Sequence, residues 1–165
     1  MNAVTTDVGP QATPVEQGES YLDLHVEGVG YLNRAREVEP RKGETYLAVQ
    51  VAAVHGPLGS GKKLNRTVFD TRVVGKRAQA LVRNYWEDIN AEDRKVLIGF
   101  RLSDLYVETF DYGPSSPKAG QVGVSLKARL LSIHWIKVNG ERVYIAPRET
   151  DAAETPPSPA VNVPV

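Results

Sequence analysis

Residues 56–63, Gly-Pro-Leu-Gly-Ser-Gly-Lys-Lys, contain the Gly-x4-Gly-Lys spacing of a loop that wraps phosphate in backbone N–H groups. That chemistry also needs a Ser or Thr after the lysine to hold magnesium, and a helix N-terminus aimed at the phosphate. Here Lys63 takes the hydroxyl position, and Asn65-Arg66-Thr67-Val68-Phe69 reads as a strand. The segment is therefore expected to be a basic hairpin loop rather than a site of nucleotide hydrolysis. His25, His55 and His134 are dispersed, and the chain has no cysteine, so nothing has the ligand spacing of a zinc site. Asp88 and Asp93 read as solvated carboxylates beside a loop, and no Ser-His-Asp or Cys-His set can be assembled. No catalytic residue, metal or cofactor is expected.

What remains suits a different chemistry: holding a polyanion that carries flat rings. Arg34, Arg36, Arg41 and Lys42 lie in or beside a first turn. Lys62, Lys63 and Arg66 follow a second apolar alternation, and Arg72 points outward from a third. Arg101, Lys127 and Arg129 alternate outward further on, and Lys118 sits in a Gly/Pro-rich stretch. Any one of these cations would read as a solvated surface residue; as a set around one groove they read as phosphate contacts. Tyr46 alternates outward and is the first candidate for stacking a base, and Tyr106, Phe110 and Tyr112 cluster where a long loop begins. Phe69 shares a face with Val73 and is expected in the core, while Trp86 and Trp135 read as core or subunit contacts.

The elements that position these residues follow from periodicity. Leu22, Leu24 and Val26 alternate with polar residues as a half-buried first strand, and Gly28 and Gly30 interrupt it as bulge residues do. Residues 39–43, Glu-Pro-Arg-Lys-Gly, form a turn. A second strand over 45–54 puts Leu47, Val49 and Val51 on one face, and a third over 65–74 does so with Phe69, Thr71 and Val73. The period then changes: Ala78, Leu81, Val82 and Tyr85 predict one short helix from 76 to about 88. A fourth strand turns Val96, Ile98, Phe100 and Leu102 inward, and a fifth does so with Val124, Leu126, Ala128 and Leu130. A short closing strand, with Val143 to Ile145, follows the Asn139-Gly140 turn. The fold expected is all-β with one short helix: a five-stranded Greek-key OB-fold barrel, its helix between strands three and four.

Composition bounds the same reading. With 41% hydrophobic and 24% charged residues, the chain suits one soluble domain and offers no membrane-spanning run. All 20 Lys and Arg lie between 34 and 148, whereas six of the 20 acids lie in the flanks, so residues 20–148 carry +6. Residues 1–20 and the Pro/Ala-rich 149–165 are expected to be disordered, with the folded domain at 21–148. The N-terminal stretch has no Lys or Arg and reads as neither a secretory nor a transit signal; with cysteine absent, a cytoplasmic location is expected.

Val29-Gly30-Tyr31-Leu32-Asn33-Arg34-Ala35-Arg36-Glu37-Val38 resembles the opening of bacterial single-stranded DNA-binding proteins, Val-Gly-x-Leu-x-x-Asp-Pro-Glu-Val. Leu47-Ala48-Val49-Gln50-Val51-Ala52 resembles that family's second strand, Val73-Val74-Gly75-Lys76-Arg77-Ala78 the entry to its helix, and residues 96–102 its fourth strand. Ala35-Arg36 departs from the usual Asp-Pro, and Val163-Pro164-Val165 replaces the family's acidic tip, so a partner-recruiting tail is not carried over. Residues 28–34 and 123–131 are similar to a family of replication proteins carried on integrating conjugative elements. The resemblance implies non-catalytic binding of single-stranded DNA, in a homo-oligomer (dimer or tetramer), during replication or transfer of a mobile element. The alternative is the same barrel used as an interaction module for an element-encoded replication or transfer protein.

Overall fold

The computed structural model describes residues 22–148. The two flanks expected to be disordered lie outside them. Strict alternation makes β2 (Tyr46–His55) bury Leu47, Val49 and Val51, and makes β3 (Asn65–Val73) bury Phe69, Thr71 and Val73. Burying a Val, Leu or Phe side chain stabilises the fold by ~1.5–3 kcal/mol. Thr71 can join that layer because its hydroxyl donates to the Val49 carbonyl at 2.8 Å.

β1 (His25–Val38) pairs antiparallel with both β2 and β4 (Val96–Asp111), and β4 pairs with β5 (Val122–Val138). β5 then runs parallel to β3 over five residue pairs, which closes strands one to five into an OB-fold-like barrel. β6 (Glu141–Ile145) adds to β5 outside the closed ring. Between β3 and β4 lie α1 (Lys76–Asn84) and α2 (Trp86–Asn90), so the expected helix is broken at Tyr85 into two pieces. Ala78, Leu81, Val82 and Ile89 join the barrel's core cluster and seat α1 on β5 and α2 on β1. The Leu131 carbonyl oxygen occupies the space a Cβ at Gly75 would need, so the β3–α1 corner presses directly on β5.

Three boundaries differ from the sequence expectation. Leu22 and Leu24 are exposed, because β1 begins only at His25; the Asp104 N–H meets the Leu24 carbonyl, and the register with β4 stops at Ser103. The bulge in β1 falls between Asn33 and Arg36, where Arg34 takes φ 51°, while Gly28 and Gly30 stay in regular register with β4. β4 does not end near Leu102 but continues to Asp111, making a long arm with β5 that stands beyond the barrel. Among the described residues no helix is long and apolar enough to cross a membrane.

Candidate nucleic-acid interface

The outward residues of β1, β2, β3 and β5 form three transverse rows. Tyr31, Ala52 and Val68 make the first; Asn33, Gln50, Asp70 and Lys127 the second; Arg36, Ala48, Arg72 and Arg129 the third. Tyr46 follows beyond the third on β2. Ala48 and Ala52 are buried although they point outward, because longer neighbours close over them. They floor two depressions, one of about 220 Å³ beside Tyr46 and Tyr106, the other of about 90 Å³ beside Tyr31, Arg94 and Lys95.

Each depression holds a tyrosine capped by an arginine from the third strand. The Arg72 guanidinium lies 4.6 Å from the Tyr46 ring centroid and that of Arg66 lies 5.5 Å from the Tyr31 centroid. Tyr31 pairs with Ala52, six residues along β2 from Tyr46, so the two platforms stand about 20 Å apart. Between them Asp70 receives Arg36 at 2.7 Å and Lys127 at 2.6 Å, and Lys127 also meets Glu108 at 3.4 Å. Burial opposes the Asp70 charge, yet hydrogen bonds from Lys127 and Arg36 outweigh it and hold the carboxyl below its usual range. Lys127 behaves as the mirror image: burial opposes its charge, and the Asp70 hydrogen bond outweighs that and raises it. Arg129 approaches Asp104 at 3.5 Å.

The other expected residues surround this face or leave it. Arg34 is exposed on the β1 bulge, and Lys62 and Lys63 are exposed in the β2–β3 loop, which leads into strand and not helix. Tyr106, 58% exposed, rises from β4 into the larger depression. Phe110 and Tyr112 meet edge to face at 5.1 Å near the end of the arm, with Lys118 Nζ 5.4 Å from the Tyr112 ring. Gly123 lies under the Phe110 ring, where any side chain would collide with it. Phe69 is in the core, as its face required. Arg101 is not part of this groove: it pairs with Glu27 on β1 and lines a separate cavity.

Sequence reasoning missed Tyr31, Gln50, Arg94 and Lys95. Tyr31 was recoverable by carrying the alternation of Gly30 and Leu32 past the glycines; Arg94 and Lys95 lie in a loop, where no period indicates a direction. Among the described residues no group of three His, Cys, Asp or Glu comes together as metal ligands. A family model described as "Protein of unknown function (DUF3577)" matches residues 15–152. No curated protein and no solved structure matches the chain.

Proposed function

The chain belongs to the DUF3577 family, and we propose that its barrel binds single-stranded DNA, without catalysis, across the outer face of β2 and β3. The observation that carries this reading is the pair of arginine-capped tyrosines on one alanine-floored face. A sequence-tolerant binder of single strands needs aromatic rings for base faces and cations for the backbone. Stacking contributes ~1–3 kcal/mol per base, and OB folds occlude ~4–16 nucleotides. Two rings about 20 Å apart along a strand match the lower end of that range. A duplex hides its base faces, so it gains from the cations alone. The resemblance to single-stranded DNA-binding proteins and to element-borne replication proteins extends this reading to a homo-oligomer serving the replication or transfer of a mobile element.

Anisotropy of labelled oligo-dT against a duplex of equal length, at two salt concentrations, tests the proposal. Single strands bind more tightly, with affinity falling as salt rises by a log–log slope of about −0.7 per phosphate contact. Equal affinity for duplex, or no salt dependence, overturns it. Binding to DNA only when a second protein is added would favour the interaction-module alternative.

A further inference from the structure

A cavity of about 490 Å³ lies away from the β2–β3 face, where the middle of β5 meets the start of α1. Arg77, Arg101, Arg148 and His134 line it; Arg101 is already paired with Glu27, which leaves Arg77 and Arg148 as its guanidinium groups without a carboxylate among the described residues of the lining. Leu131, Ala146 and Pro147 give it an apolar wall, so that polar and apolar lining are nearly balanced. Cavities of ~300–1,000 Å³ that combine apolar walls with a few convergent polar groups are of small-ligand size. Guanidinium groups beside an apolar wall fit a phosphate joined to a flat base.

The cavity adjoins the groove along one strand. β5 contributes Lys127 and Arg129 to the groove and, directly afterwards, residues 131–134 to the cavity. The N–H groups of Val74 and Gly75 both bond the Leu130 carbonyl, so the end of β3 lies against β5 at that junction. Arg129 and His134 are five residues apart, about 17 Å of strand. Beyond the platform of Tyr46 and Arg72 the register places Arg129 beside Arg72, with the cavity next along β5; Glu44 lies beside the platform, Asp104 beside Arg129 and Glu27 beside Arg101.

We propose that this cavity is a second nucleotide subsite, which takes up the same single strand after it passes Arg72 and Arg129. The proposal rests on the single-strand reading of the β2–β3 face. Its test compares oligo-dT of about 6 and about 14 nucleotides, both within the ~4–16 that one OB barrel occludes. The double variant Arg77→Glu, Arg148→Glu is the probe, because an acid in the first turn of α1 is favoured by the helix dipole and leaves the fold intact. A variant with the same charge change elsewhere, Lys137→Glu with Arg142→Glu on β5 and β6, is the control. With about two added phosphate contacts, from Arg77 and Arg148, raising salt from about 50 to 200 mM weakens the longer oligonucleotide about 7-fold more than the shorter one.

The cavity variant loses that difference and binds the shorter oligonucleotide as the unmodified protein does, while the control keeps the difference. Equal salt slopes for the two lengths in the unmodified protein overturn the subsite and leave the groove standing. So does loss of the difference in the control, which would assign it to net charge. If the unmodified protein binds neither oligonucleotide, the groove reading falls and the subsite falls with it.

Discussion

Replacing Asp70 with Asn removes the carboxylate that Arg36 and Lys127 grip from either side, and it should separate folding from binding. A hydrogen bond to a charged group contributes ~1.5–3 kcal/mol, and the Asn oxygen can still accept one of the two. The Arg36 side chain is 31% exposed, so solvent screens part of that bond; the expected loss of stability at neutral pH is about 1–2 kcal/mol. Binding should move the other way. Arg36 loses its carboxylate and becomes available to phosphate while Lys127 keeps Glu108, steepening the salt dependence by about 0.7 log units per log unit.

The pH dependence has a definite sign. Asp70 titrates below its usual 3.8 in the folded protein, so its contribution is present above that value and is lost as pH falls through the folded pKa. Lys127 is raised above 10.5, so its share is complete below that value and is lost only as pH rises through the folded pKa. Urea unfolding should therefore show a constant gap between the two proteins from about pH 5 to pH 9, and a shrinking gap on acidification below about pH 4. Anisotropy at two salt concentrations measures the binding half. Weaker DNA binding by Asp70→Asn with an unchanged salt slope would refute the reasoning, because the carboxylate would then be a contact for the ligand and not a restraint on the cations.

Tyr46→Ala and Tyr31→Ala should each weaken single-strand binding by ~1–3 kcal/mol with the salt slope unchanged, as read by anisotropy; a folded Tyr31→Ala protein that binds normally would confine the site to the Tyr46 end. Lys62→Ala with Lys63→Ala should leave stacking intact and flatten the slope by up to about 1.4, which the same titrations check. Sedimentation of the DNA-free protein at tens of micromolar should show a homo-oligomer, with a monomer counting against the assembly inferred here.

Periodicity alone determined much of this barrel. Successive side chains on a strand point to opposite faces whatever lies nearby, so Leu47, Val49 and Val51 could be placed inward and Tyr46 outward from one segment read in isolation. The same local rule put Phe69 in the core, and the change to helical spacing at Ala78, Leu81 and Val82 put a helix after the third strand. It failed where the chain leaves the regular period. The bulge at Asn33–Arg36 is held by pairing with β2, and the arm beyond Leu102 exists because Val107 to Asp111 find partners on β5.

Which cations share a face was decided only by closure. Arg72 and Arg101 both alternate outward, and nothing within either strand distinguishes them. The parallel pairing of β3 with β5 sets Arg72 beside Arg129, whereas the pairing of β1 with β4 sets Arg101 against Glu27. Likewise, Asp70 meets Arg36 and Lys127 only after chain separations of 34 and 57 residues are bridged. Direction along a strand is a property of the local backbone; neighbourhood across a barrel is a property of register, and register exists only once distant strands have paired.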